Sequence, residues 1–546
     1  MSWLIQPLGP ALILGIGALA LVLSHAFPWR RPIPVIASLA LAGAGGVLIA
    51  LRTPRAAILV GRPWTSILFD IEGGLVWRID AWAWSGGLVV LLLAWVLFLL
   101  AWDEGGRLAP YYRAADLALT ATTISVLFAD NLLTLASMWV LMESVALARL
   151  ALEPTQRVET GRVGLSAASA LFMALACSLS GPALVMSPLS TAAFTPLVQG
   201  MLILAIALRA AVYPFHGWLT HSRLSFIAGR LPIYLIPAMV GLWLLGMLNL
   251  ASITAWLDGL PWMGFLALSL LGSALAAWIE PGEGRSLDLI AANRAGFILL
   301  AVILWPGQST LAVAGGLFAF GLGMALLYVA RLVNEDWGGR WPAAIAILTL
   351  LGYPATVGFM ELVGVARSAP LREHLGFWGT VTGAEILLLA TLLRGWRQPL
   401  RPLPRRVSGP QTRLLIASIS LAVPVLAIGL QPAIMAHLIG TEEAPGGILA
   451  LARGMPLAAW IRLLAVSLLG FGLSRLQRPA WFGWQEMQRG VARVARLDWV
   501  YGLIHVVLLA ILAFWREVLR ITEGEGYLGW LLLLLVLAWF LLSPVG

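Results

Sequence analysis

The sequence predicts an all-α polytopic membrane protein of about 15 to 16 transmembrane helices. Three observations carry this prediction. Of 546 residues, 60% are hydrophobic and only 11% charged, and the mean hydropathy is +0.91; soluble domains are about 45–50% apolar and about 25% charged. The apolar residues gather into runs near the length of about 20 needed to cross a bilayer. The arginines lie in the short loops between those runs, which is how membrane topology is encoded.

The runs fall at 3–27, 33–51, 82–102, 115–129, 131–152, 163–186, 197–219, 231–250, 260–279, 287–305, 310–330, 341–366, 375–393, 414–438, 456–474 and 526–544. Most breaks between them carry Gly, Pro or paired charges, as interfacial turns do. The first run has no basic stretch before it and no small-residue cleavage site after it, so it reads as a retained helix. Residues 56–80 alternate moderately, contain Gly73 and Gly74, and read as an extracytoplasmic hairpin of short strands. Loops after odd-numbered runs are basic: Arg30 and Arg31, Arg107 and Arg113, Arg157 and Arg162, Arg223 and Arg230. The strongest holds Arg394, Arg397, Arg401, Arg405, Arg406 and Arg413. By the positive-inside rule these loops are cytoplasmic and the amino terminus is outside; Arg55, Arg62 and Arg78 around the hairpin run against the pattern. Residues 480–498 place Arg489, Arg493 and Arg496 at helical spacing beside Trp481, Phe482 and Trp484, which is an interfacial amphipathic pattern. The stretch 499–515 is marginal in length for a span and reads as a continuation along the surface, before a last span from residue 526.

Composition also excludes function classes. Cys177 is the single cysteine, so a disulfide framework, a multi-thiolate zinc site and an iron–sulfur cluster are all ruled out. Redox chemistry would have to lie on a partner. The net charge of +9 comes from loop arginines rather than a basic face, which argues against nucleic acid. All 35 basic residues are Arg and none is Lys, and Arg cannot be deprotonated in a protein. No Gly-rich phosphate loop, nucleophile elbow or metal-ligand cluster is found. The GAGG at 43–46 lies inside an apolar helix, where small residues serve helix packing.

An ionisable group at bilayer depth costs several kcal/mol and is a functional candidate by default. Five stand out: Glu143, Arg209, His216, Glu361 and Glu385. Run seven contains Pro214, which frees the carbonyl of Ala210 beside Arg209; run twelve contains Pro354, which frees that of Leu350, with Gly352 and Gly358 loosening the same turn. Paired interrupted helices point to a transport site. In run seven the charge precedes the proline and in run twelve it follows, an order expected of oppositely oriented halves. Two alternatives stay open: a Glu143–Arg209 pair could only specify packing, and His216 beside Trp218 could be an interfacial anchor. Asp116, Arg149 and Arg367, near helix ends, are expected to snorkel to the headgroups.

Five segments, taken in order, resemble one family: the antiporter-like subunits of respiratory complex I, membrane-bound hydrogenases and multisubunit cation/proton antiporters. They are LVWRIDAWAWSGGLVVLLLAWVLFLLAW (75–102), LFADNLLTLASMWVLMESVAL (127–147), ALRAAVYPFHGWL (207–219), RSLDLIAANRAGFILLA (285–301) and LLGYPATVGFMEL (350–362). The third ends in the family's P-F-H-x-W-L. The resemblance covers roughly 75–370 and, loosely, the surface helix and last anchor. It implies two inverted five-helix repeats over 115–250 and 260–393, with broken helices seven and twelve. These are flanked by N-terminal helices with the hairpin over 1–114, C-terminal spans over 394–475, and the lateral and anchor helices over 478–546. It also implies a central polar axis carrying protons, with Arg209 where the family has a lysine and Glu361 at or beside its helix-twelve lysine or glutamate. The family's helix-five glutamate follows the Trp directly; here that place is Val140, and Glu143 lies three residues on. Further departures are THSRLSFIAGRLPIYLI (220–236) in place of P-T-P-V-S-A-L-x-H, and Phe320 and Met324 at the family's His and Lys positions.

The reading is thus a proton-translocating antiporter-like subunit of a complex I-like or hydrogenase-like assembly, multi-pass in a bacterial or archaeal plasma membrane. No cofactor is expected in this chain. Fe–S, flavin or Ni–Fe centres would sit on a cytoplasmic redox module, with other membrane subunits as partners and protons or Na⁺ as cargo. A degenerate scaffold without its own proton path is one alternative, and the membrane half of an energy-coupled inorganic-carbon uptake system is another.

Overall fold

In the computed structural model the described residues are 6–24, 32–52, 57–60, 64–66, 71–102, 108–152, 160–220, 226–248, 260–304, 310–337, 339–368, 375–395, 408–442, 446–475 and isolated positions between 490 and 520. Residues 1–485 gather into one compact unit and 486–546 into a second. Helix dominates because a backbone in hydrocarbon must satisfy its own polar groups. The chain runs α1 (Gly9–Ser24), α2 (Pro32–Ala50), a strand region, α3 (Ala81–Leu100), α4 (Ala109–Leu127), α5 (Leu132–Ala151), α6 (Thr160–Leu179), α7 (Pro182–Met186), α8 (Pro196–Arg209) and α9 (Gly217–Thr220). A π-helical segment, Phe226–Leu235, then leads into α10 (Ile236–Leu244), α11 (Leu260–Ile279) and α12 (Glu283–Leu304). A second π segment, Ala319–Gly323, joins α13 (Thr310–Phe318) to α14 (Met324–Trp337). The rest comprises α15 (Trp341–Leu350), α16 (Gly358–Ser368), α17 (Leu375–Gly395), α18 (Gly409–Leu430), α19 (Pro432–Ile439), α20 (Ile448–Arg453) and α21 (Leu457–Arg475).

Among the described residues, eight helices are long and apolar enough to cross a membrane, and six shorter apolar helices accompany them. The protein is a multi-pass membrane protein. Each apolar run through 456–474 falls on one of these helices, or on two joined across a turn. The last run, 526–544, and nearly all of the surface helix of 478–525 lie outside the described residues. Side chains sort as lipid demands. Leu464 and Leu468 on α21 are about 60% exposed, while Glu143, Arg209, Asp288, Glu361 and Glu385 are buried.

The expected hairpin is present. Strand β1 (Ala57–Val60) pairs antiparallel with β4 (Val76–Ile79), and β2 (Trp64–Ser66) with β3 (Ile71–Gly73). It is fastened to the turn between α4 and α5: Arg78 N–H donates to the Phe128 carbonyl, Asp130 N–H to that of Val76, and Val76 N–H to Thr134 Oγ1. Asn131 caps α5 by accepting from Thr134 N–H at 2.8 Å, and its amide donates to Gly74 O. The ADN motif therefore locks strand to helix.

Both expected helix breaks are present, and they are built alike. At the end of α8, Ala211 N–H bonds Leu208 O and Val212 N–H bonds Ala207 O, with Ala211 at φ +53°. At the end of α15, Gly352 N–H bonds Thr349 O and Tyr353 N–H bonds Leu348 O, with Gly352 at φ +71°. Each is a Schellman ending with its left-handed residue one place past the cap. The prolines follow these endings rather than causing a kink within a continuous helix. Only glycine takes positive φ without strain, so the two sites should respond oppositely. Ala211→Gly is expected to raise stability by about 1 kcal/mol, and Gly352→Ala to lower it by about 1–2 kcal/mol, both measured by unfolding in detergent. A Cβ at 352 would also stand 3.1 Å from the Gly358 carbonyl.

Candidate charge axis

Glu143 lies on the fourth turn of α5 and Arg209 is the last residue of α8. Their groups meet at 3.3 Å (Arg209 Nε to Glu143 Oε1) and 3.4 Å (Nη1 to Oε2). Arg209 Nη2 donates to the carbonyl of Ile233 in the π segment; Pro237, four residues on, has no N–H to offer that carbonyl. Ser169 Oγ donates to Glu143 Oε1 at 2.9 Å and accepts from Trp139 Nε1 at 3.1 Å. The guanidinium stands 5.4 Å from the Trp218 ring. The carbonyl of Ala210, the cap residue of α8, accepts from Tyr234 Oη at 3.2 Å. Val140, where the resemblance would put the glutamate, is 43% exposed, whereas Glu143 faces inward one turn beyond buried Trp139.

The second pair joins the two expected halves. Arg230 in the π segment grips Asp288 of α12 in a bidentate contact, Nε to Oδ1 at 2.8 Å and Nη2 to Oδ2 at 2.9 Å. Asp288 is completely buried. Tyr234 packs edge-on against the Trp218 ring beside Arg209, with ring centroids 5.7 Å apart. Arg230 is thus not the cytoplasmic loop residue that the positive-inside count made it: the π segment carries it into the bundle.

The third group is a network of four. Arg294 Nη2 of α12 reaches Glu361 Oε2 of α16 at 3.4 Å, and its Nη1 reaches Glu385 Oε1 of α17 at 3.9 Å. Arg462 Nη1 of α21 binds Glu385 Oε2 at 2.6 Å. The Phe297 ring lies 4.7 Å from Arg294 and the Trp378 ring 4.7 Å from Arg462. Gly316 makes room, since a Cβ there would come within 2.6 Å of Glu361 Oε1. The break at the end of α15 also touches α21, where Tyr353 Oη and Ser467 Oγ share a hydrogen bond of 2.6 Å.

Asp116 and Arg149 do not snorkel. Arg149 Nε binds Asp116 Oδ1 at 2.9 Å, Arg113 lies 3.6 Å from the same carboxylate, and Arg149 is wholly buried over the Tyr112 ring. Arg367, by contrast, reaches the Gly454 carbonyl near the surface. His216 is buried and stacked on Tyr213 at 4.8 Å, inside the break. Of the sequence candidates, Glu143 is brought together with Arg209, and Glu361 with Glu385 through Arg294. Sequence reasoning passed over Asp288, Arg294 and Arg462. Each lies within an apolar run, and the rule that selected Glu143 would have found them.

The order of charge and break has a local cause. Arg209 occupies the last turn of α8 and Glu361 the first turn of α16. A helix end is partially negative at its C-terminus and partially positive at its N-terminus, so each charge sits where the dipole favours it. The opposite order around the two prolines thus also places each charge at the helix end that suits its sign.

No family model and no curated protein sequence matches the chain. Solved structures do. A chain of the Mrp complex from Dietzia sp. DQ12-45-1b superposes with a TM-score of 0.73 at 17% identity, covering 97% of this chain and 62% of that one. The chain shares the fold of that membrane-complex subunit. Chains of respiratory complex I from Thermus thermophilus agree. The structure with bound aureothin gives a TM-score of 0.57 at 20% identity over 78% of this chain and 98% of that one. The structure with bound NADH gives 0.61 at 17% over 87% and 100%. This chain spans 62% of the length of the Mrp chain it matches, and at these identities the likeness establishes the fold.

Proposed function

We propose that this chain is a proton-translocating membrane subunit of a multisubunit complex, with Glu143, Asp288, Glu361 and Glu385 as its proton carriers. One observation carries the reading: four buried carboxylates, each set against arginine, run from α5 through α12 to α17 in a fold otherwise seen in energy-coupled membrane complexes. Every cation on the axis is an arginine and holds its proton, so the carboxylates are the groups able to exchange one. A proton reaching Glu143 cancels the partner of Arg209. The uncompensated guanidinium then biases the Arg230–Asp288 pair through space, and Arg294, on the same helix as Asp288, faces Glu361 and Glu385. Redox centres, Fe–S, flavin or Ni–Fe, would belong to a cytoplasmic module of partner subunits. The amino terminus would lie outside a bacterial or archaeal plasma membrane.

The test is Glu143→Gln in the complex reconstituted into vesicles. Gln can keep the bond from Ser169 but carries no exchangeable charge. Coupled proton movement, followed with a pH-sensitive dye, is expected to vanish while subunit composition on a native gel stays intact. Unchanged proton movement would remove Glu143 from the mechanism. A second reading, a scaffold without its own path, is favoured by Phe320 and Met324, which are buried where the resemblance expects titratable groups. Under it, Glu143→Gln impairs assembly or nothing, never coupling alone.

A further inference from the structure

Away from the axis, a cavity of about 100 Å³ opens between α12, α14, α15 and α17, lined at its mouth by Arg331, Arg340, Arg394 and Glu283. Its walls are aliphatic and include Leu287, Ile290, Leu327 and Ile347. Three features set it apart from a packing gap. First, three of its four charged residues sit where helices end: Glu283 in the first turn of α12, Arg394 in the last turn of α17, Arg340 at the cap of α15. Second, the start of α15 has no side-chain cap from Arg340, while Gly339, Arg340 and Ala343 all line the cavity. An anion there would meet the Ala343 N–H and the positive end of the helix dipole beside a guanidinium, Pro342 having no N–H to offer. Third, Arg331 and Glu283 meet at 3.7 Å with both side chains about a third exposed, a contact loose enough to open for a stronger acceptor. Trp341, 37% exposed beside the mouth, is the residue type that membranes place at headgroup depth.

We infer that this cavity binds one anionic phospholipid. Its phosphate lies against Arg331, Arg340 and the first turn of α15, and an acyl chain lies along Leu287, Ile290, Leu327 and Ile347. Three arginines against one glutamate select negative charge, and basic pockets between membrane helices take anionic headgroups. The aliphatic depth is what a free phosphate would leave unused.

The probe is dioleoyl phosphatidylglycerol against dioleoyl phosphatidylcholine, titrated onto the delipidated full-length chain with its co-purifying subunits and read by native mass spectrometry. The first is expected to bind at least about tenfold tighter than the second and to resist displacement by millimolar inorganic phosphate. Arg331→Gln with Arg340→Gln should remove one bound phosphatidylglycerol. Leu327→Trp, which fills the aliphatic slot and leaves every arginine in place, should do the same. Equal binding of the two lipids, or an unchanged count in Leu327→Trp, overturns the assignment even if the double variant fails to fold. Ready displacement by phosphate would make this a free-anion site and overturn the lipid.

Discussion

Arg230→Met is expected to destabilise the protein by about 3–5 kcal/mol, the loss typical of stranding one member of a buried ion pair. Both carboxylate oxygens of Asp288 are engaged by Arg230, and Asp288 has no exposed surface through which water could take over. The effect should reverse in the double variant. Arg230→Met with Asp288→Leu removes both charges together, and well-packed apolar replacements of buried pairs are often neutral or stabilising. Unfolding in mixed detergent, or the yield of assembled complex, reads both. A double variant as weak as the single one would show that the pair does more than cancel charge, as its place between the Glu143 and Glu361 groups allows.

Glu385→Gln should be more damaging than Glu361→Gln. Glu385 holds Arg462 at 2.6 Å and faces Arg294 at 3.9 Å, whereas Glu361 holds Arg294 alone at 3.4 Å. Removing Glu385 leaves two guanidinium groups sharing a single carboxylate, and neither can shed its proton to relieve the excess. A loss of about 3–5 kcal/mol is expected for Glu385→Gln. Pairing it with Arg462→Met should recover stability, because the remaining Arg294–Glu361 pair is neutral. If that recovered variant also regains coupled proton movement, Glu385 belongs to packing. If it folds but does not couple, Glu385 belongs to the path.

Much of this was legible in the residues. Runs of apolar length placed the helices, alternation and glycines placed the hairpin, and Pro214 and Pro354 marked both breaks. The Glu143–Arg209 pair was also visible, because a charge inside an apolar run needs a partner. What failed was assignment by position along the chain. Arg230 follows run seven as a topogenic loop arginine would, yet the π segment beginning at Phe226 takes it into the bundle. Asp116 and Arg149 sit near the ends of their helices, where long side chains can escape, but α4 and α5 are neighbours and hold the two against each other. Arg462 finds Glu385 across 77 positions of sequence, a pairing that no local pattern encodes.

The absence of lysine has a kinetic corollary. Where a proton path alternates carboxylates with amines, activity falls at both extremes of pH, since the amines lose charge in alkali. Here the fixed charges are guanidinium groups, whose ordinary pKa lies far above the physiological range. The alkaline limb of the rate profile is therefore expected to report only carboxylates left without a proton to carry, with no further loss from discharge of a fixed positive charge.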